Sequence, residues 1–241
     1  MKWKPPKNTT QAAASGDTIT RLRVGMLDAA HQLGVKSTVV VWSRGLLDWS
    51  EERIQPEILR WLYERIEMLL EEQRENGIAM ADRPGGGNAA HGAWMARALT
   101  LTQSGTQYVQ ANRVLTPIVT APSNLLAEFQ LADLVTAATT QAIAGRDNGL
   151  KLVPHLKNLA RTSYYGTIGG AGLVLWPRPA MLDLHYWVFG ERVYVQGGAQ
   201  TTLGPTGDPF SPPGRPFQND DGIPPSPPAL DTATATAMIT S

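Results

Sequence analysis

Upstream of residue 200, short β-branched or apolar runs alternate with longer segments of helical period, and this alternation constrains the fold more than any single residue does. Ser15 or Asp17 can cap a helix bearing Ile19, Leu22, Met26, Ala30 and Leu33, which ends at Gly34. Residues 37–42 come next as a β-branched run suited to a buried strand. Ser50 then precedes the strongest local signal, a helix with Ile54, Ile58, Leu62, Ile66, Leu69 and Leu70 on one stripe and charge elsewhere. Asn76-Gly77 closes it, and Pro56 falls near its first turns, where proline does least harm. Residues 78–82 read as a second buried strand running into the breakers Arg83-Pro84-Gly85-Gly86-Gly87. A helix over 89–103 and a strand over 113–120 come next. After Pro122-Ser123 a long helix takes in Leu125, Phe129, Ala132, Val135, Ala138 and Ala142, ending at Gly145. The expected fold class is α/β, with strands and helices in layers and no internal repeat.

Composition sets the extent of that fold. A hydrophobic fraction of 42% is ordinary for a globular chain, so most of its 241 residues are expected to pack. Nine of the 18 prolines fall within residues 200–241, among them Pro212-Pro213, Pro224-Pro225 and Pro227-Pro228. Proline lacks the amide donor for helix or sheet, and few large apolar residues accompany it there. Residues 1–195 are therefore expected to form one domain and 196–241 a disordered, passive tail, with a polyproline ligand for a partner as the alternative. No cysteine is present, which excludes disulfides, cysteine-based zinc sites and a thiol nucleophile, and fits a reducing cytoplasm. The start lacks the apolar stretch of a signal peptide, and 18 apolar residues never run together, so no membrane span is expected. Net charge is zero, but residues 1–50 carry seven basic and three acidic groups while 51–76 carry four and eight. Solvated faces are the expected outcome of both.

Few residue types suggest chemistry. His31, His91, His155 and His185 stand far apart without metal-ligand spacing. The glycine-rich residues 166–172 precede an apolar run at 173–176, so they suit a turn into a strand rather than a phosphate loop, which needs a helix after it. Two carboxylates differ. Asp82 ends an apolar strand, the place where α/β sheets gather functional groups. Asp133 interrupts the apolar stretch Gln130-Leu-Ala-Asp-Leu-Val135 inside a long helix, where an acid is costly unless paired or metal-bound. Together they could share Mg²⁺ or Mn²⁺. The structural alternative is that Asp82 caps a turn and Asp133 pairs with an arginine.

Gly77-Ile-Ala-Met-Ala-Asp82, Ala121-Pro-Ser-Asn124 and Glu128-Phe-Gln-Leu-Ala-Asp-Leu-Val135 together resemble the domain-of-unknown-function 3800 family, a branch of the ribonuclease H-like superfamily. Gly169-Gly-Ala-Gly-Leu-Val-Leu-Trp-Pro177 and His185-Tyr-Trp-Val-Phe-Gly190 support the resemblance, which covers residues 1–195. It implies a mixed sheet flanked by helices and a metal-dependent phosphodiesterase site. Asp82 and Asp133 match catalytic, metal-holding acids, and Ser123 and Gln130 match polar positions beside them. The family begins with a strand carrying Asp-Glu-Ser-Gly and a second strand, and this chain matches only from the segment after them. Arg83 stands where the family often has a second acid. The expectation is an N-terminally truncated ribonuclease H-like domain: a nuclease-like phosphodiester hydrolase, with nucleic acid as its partner. The alternative is a non-catalytic binding or scaffold protein that keeps the fold.

Overall fold

A computed structural model describes residues 16–43, 46, 49–123, 126–177 and 181–204. The Ser15 cap, Leu125 and the proline-rich residues from 205 onward lie outside the described residues.

Helix α1 (Gly16–Gln32) leads through Gly34, in a left-handed conformation, to strand β1 (Val39–Trp42). Helix α2 (Glu51–Gln73) starts where Ser50 accepts a hydrogen bond from the Arg53 amide, with Glu51 and Glu52 at the positive end of the helix dipole. It stops at Arg74, itself left-handed, two residues before the expected Asn76-Gly77. Strand β2 (Met80–Asp82), helix α3 (Gly87–Ser104) and strand β3 (Val119–Ala121) come next, then helix α4 (Ala127–Ile143). Two short helices, α5 (Asp147–Leu150) and α6 (Val153–Leu159), lead to strand β4 (Leu173–Trp176). Helix α7 (Leu184–Phe189) and the hairpin of β5 (Val193–Gln196) and β6 (Ala199–Thr202) complete the described chain. The protein is mixed α/β, as the alternation predicts. Among the described residues no helix is long and apolar enough to cross a membrane.

Among the described residues the strands form three two-stranded sheets. β1 runs parallel to β4 with Val39 opposite Leu173 and Trp42 opposite Trp176. β2 runs parallel to β3 with Met80 opposite Val119 and Asp82 opposite Ala121. β5 and β6 are antiparallel. The main core lies around β1 and β4, where Val39, Val41, Leu173 and Leu175 meet Leu27 of α1, Leu134 and Ala138 of α4, Leu159 of α6 and Leu184 of α7. A second, smaller core gathers Tyr63 of α2, Ala79, Ala98 of α3, Val114 and Ile118.

Three expectations are corrected by this packing. The predicted stripe on α2 is only partly the buried face: Ile54 is buried and Ile58, Leu62, Leu69 and Leu70 are half-buried, but Ile66 is exposed while Tyr63, Glu64 and Glu67 are buried. Residues 78–82 are not a fully buried strand either. Ala79 points into the second core, while Ile78 and Met80 are exposed, because a two-stranded sheet covers only one of its faces. The tail boundary at 196 falls too early. Ala199–Thr202 pairs with β5, and Leu203 is buried beside Tyr186 and Tyr194.

Candidate functional site

One face of α2 repeats at helical spacing through Glu57, Arg60, Trp61, Glu64, Arg65 and Met68, and it forms one wall of a cleft of about 800 Å³. Opposite lie Trp176 at the end of β4, the turn after Arg161 and the β5 hairpin. Three of the chain's seven tryptophans and four of its six tyrosines converge here. Trp61 and Trp176 pack with ring centres 5.1 Å apart, and Trp49 and Trp176 at 6.2 Å. The Arg53 guanidinium covers Trp49 from outside at 4.2 Å.

The tyrosines at the rim are held by local hydrogen bonds. Ser163 and Thr167 close a tight turn through their hydroxyls at 2.9 Å and through the Ser163 amide, which donates to the Thr167 carbonyl at 2.7 Å. That turn presents Tyr164 and Tyr165 edge to face, with Tyr164 94% exposed. Across the cleft, Thr106 accepts from the amides of Tyr108 and Val109 and holds Tyr108 outward. Tyrosine at such a rim offers an apolar face and a hydroxyl donor at little cost in side-chain entropy.

The glycine-rich segment supplies the floor. Glu191 accepts the Ile168 amide and, at 3.0 Å, the Gly169 amide, with buried His185 behind it at 3.4 Å. A β-carbon on Gly169 would lie 2.6 Å from the Tyr194 ring, and one on Gly172 would lie 2.4 Å from the Arg161 carbonyl oxygen. Both positions need glycine because neighbouring atoms approach the backbone, so the segment is a turn into a strand, as expected from its sequence.

Charge within the cleft is largely spent on itself. Arg60 pairs with Glu57 at 2.5 Å. Arg65 donates to Glu64 at 3.0 Å and to the Gly170 carbonyl at 3.0 Å. Burial lowers the Arg65 guanidinium from its ordinary value, while Glu64 beside it pulls the other way. Glu64 is 2% exposed, and among the described residues its Oε1 accepts no hydrogen bond, with Arg60 Nη1 4.0 Å away. The result is an aromatic, nearly neutral trough with donors at its rim and one unsatisfied carboxylate oxygen.

The residues singled out from sequence lie elsewhere. Asp82 is exposed at the end of β2, and Asp133 is exposed on α4, where the helical period turns it outward beside buried Leu134 and Val135. Solvent, rather than a partner, resolves the cost expected of an acid in that apolar stretch. Among the described residues neither acid forms an ion pair, so the arginine partner expected for Asp133 is not seen there. Gln130 and Ser123 do meet: Gln130 Nε2 donates to the Ser123 carbonyl at 3.0 Å. Asp82 lies opposite Ala121, two residues before Ser123, and Gln130 precedes Asp133 by three. Of the four, only Gln130 and Ser123 are brought into contact. Among the described residues no group of three or more histidine, cysteine, aspartate or glutamate side chains could hold a metal ion. Two of the histidines have hydrogen-bond partners, His91 with Thr120 at 3.0 Å and His155 with Asp28 at 2.7 Å, while buried His185 faces Glu191 at 3.4 Å.

The aromatic cleft escapes a reading of the sequence because its members are scattered from 49 to 194 and no motif joins them. The tyrosine pair placed just before a glycine turn is the available signal. Comparison with family models, with curated proteins and with solved structures finds no match to this chain.

Proposed function

We propose that this chain is a non-catalytic binding protein whose aromatic cleft takes a proline-rich peptide in the extended polyproline conformation. The convergence of three tryptophans and four tyrosines on a trough whose charges are already paired carries this role. Proline-rich segments dock on aromatic-lined grooves because their rings pack on flat aromatic faces and their conformation is already ordered. They are also rich in carbonyl acceptors and poor in donors, which complements the tyrosine hydroxyls at this rim. A phosphate-bearing ligand is disfavoured, since both arginines of the wall are engaged by glutamates. The cysteine-free composition supports a cytoplasmic setting for this role. Titrating the full chain with a ten-residue polyproline peptide should give a saturable change in tryptophan fluorescence. Replacing both Tyr164 and Tyr165 with Ala should weaken binding about tenfold, or about 1.4 kcal/mol. Absence of a saturable response, or a response to oligosaccharides alone, would refute the role.

A second role keeps the resemblance to the ribonuclease H-like nucleases, with Asp82 and Asp133 holding Mg²⁺ or Mn²⁺ against nucleic acid. The Gln130–Ser123 hydrogen bond supports it, because it joins two of the four matched residues, and Asp82 ends a strand paired in parallel with the one that precedes Ser123. A metal bound only by the folded chain raises its melting temperature. Millimolar Mn²⁺ should therefore stabilise the protein, and Asp133→Asn should abolish the shift. No shift with either ion would end this second role.

A further inference from the structure

Among the described residues, two buried polar atoms of the cleft-lining side chains make no hydrogen bond, and they are of opposite kind: Glu64 Oε1, an acceptor, and Trp176 Nε1, a donor. Trp61 borders both. Glu64 stands three residues after Trp61 on α2, where helical side chains are neighbours, and the Trp176 ring packs on the Trp61 ring with centres 5.1 Å apart. The charge of Glu64 is already matched, since Oε2 accepts from Arg65 Nη1 at 3.0 Å. Its second oxygen is not served by that pairing. Arg60 Nη1 stops 4.0 Å from Oε1, beyond hydrogen-bond reach, and at 2% exposure solvent does not replace it. What this corner of the cleft lacks is a neutral donor beside a neutral acceptor. A peptide unit carries one of each, and a buried group of either kind is costly to leave unmade.

We infer that Glu64 Oε1 and Trp176 Nε1 read one stretch of ligand backbone, the carboxylate accepting an N–H and the indole N–H donating to a neighbouring carbonyl. This rests on the binding role above and names its ligand class. Proline supplies the carbonyl but has no N–H. The cleft therefore selects a proline-rich segment interrupted by a non-proline residue over an unbroken run of prolines. The side chain at the interruption matters little, because the contact is made by its backbone. Both atoms are reached as the Trp61–Trp176 contact opens, which ties their occupation to a change in tryptophan fluorescence. A buried hydrogen bond is screened little by salt, so the selection holds at high ionic strength.

The test titrates the full chain with three ten-residue peptides: polyproline, the same with alanine at the fifth position, and the same with lactate there, which replaces the alanine N–H by an ester oxygen. The alanine peptide should bind about tenfold more tightly than polyproline, at low and at high salt, and the lactate peptide should fall back to the polyproline affinity. In Glu64→Gln the amide oxygen stays with Arg65 and the NH₂ group takes the place of Oε1, so the ratio between the alanine and lactate peptides should drop to about one. Trp176→Phe should weaken all three peptides and keep that ratio. Equal affinity for the alanine and lactate peptides in the unmodified chain would overturn the selection whether or not either variant folds, as would a preference that survives Glu64→Gln. Unchanged affinities in Trp176→Phe would overturn the carbonyl contact. Failure of every peptide to bind the unmodified chain would instead overturn the binding role of the cleft.

Discussion

At the scale of single residues, buried carboxylates decide how α2 is seated. Glu67 is 3% exposed and accepts three hydrogen bonds: from the Tyr63 hydroxyl at 2.8 Å, the Val114 amide at 3.2 Å and the Arg113 amide at 3.3 Å. Burial first, and then that bond and the Glu67 charge, push the Tyr63 hydroxyl well above its ordinary range, so it stays protonated and donates. Removing the acceptor strands buried donors, each costly to leave unmade. Glu67→Ala should therefore cost about 2–3 kcal/mol in chemical denaturation; a loss below about 0.5 kcal/mol, the range of a surface change, would show the cluster to be unimportant. Glu71, one turn on, is exposed and hydrogen-bonds Arg113, which holds its carboxyl below the usual carboxylate range. A depressed value means the pair stabilises fully above the ordinary pKa of about 4.3 and is lost as pH falls through the folded value. Melting curves below pH 5 should accordingly fall less steeply for Glu71→Gln than for the unmodified chain. None of this is legible in the sequence, where the acids of α2 read as its wet face. Charge in a sequence marks the need for a partner, and the partners here are backbone amides 46 and 47 residues away.

At the scale of elements, the existence of the helices and strands up to α4 is legible in the sequence, while their buried faces, the short helices α5 to α7 and the β5–β6 hairpin are not. Each predicted segment from α1 to α4 is present, because period and breakers are local properties. Which face is covered depends on what packs there. The predicted strand at 113–120 shrinks to Val119–Ala121, since only that part finds β2; upstream, Val114 makes a single bridge to Gly77. On α2 the same logic separates two isoleucines. Ile54 is almost fully buried, so Ile54→Ala should cost about 3 kcal/mol. Ile66 is 36% exposed, so Ile66→Gln should change stability by less than about 0.5 kcal/mol. The stripe expected from period alone would make the two costs similar, and thermal melts of the two variants distinguish the cases. For the candidate site, the nearness of Gln130 to Ser123 is foreshadowed by their short separation in the chain. The aromatic cleft is not, because it exists only once β4, α2 and the β5 hairpin meet.

At the scale of the whole molecule, the described residues hold two main cores of unequal size, and α2 contributes to the smaller. Twenty buried residues surround β1 and β4, while five form the core of α3 and β2, and Tyr63 of α2 belongs to the smaller. The strands β1 and β2 lie in separate sheets, so no backbone ladder among the described residues joins the two cores. The tie is partly aromatic, through Trp61 on Trp176, and partly polar: Arg161, buried just after α6, gives Nη1 to the Arg65 carbonyl at 3.0 Å and Nη2 to Glu72 at 2.6 Å, and Arg65 reaches the Gly170 carbonyl. Stability scales with the apolar area each core removes from water, so the smaller one should open first. Native-state hydrogen exchange should show amides of α3 opening at a lower free energy than those of α4. Arg161→Ala removes two of these hydrogen bonds without changing a residue of either apolar cluster. It should widen that gap by about 1–3 kcal/mol, lowering protection in α2 and α3 while α4 keeps its own. Because the cleft is walled on one side by α2 and on the other by the glycine turn over the larger core, the same variant should also bind peptide more weakly. Equal opening energies for α3 and α4 in both proteins would mean that the molecule unfolds as one unit, with Arg161 an ordinary contact within it.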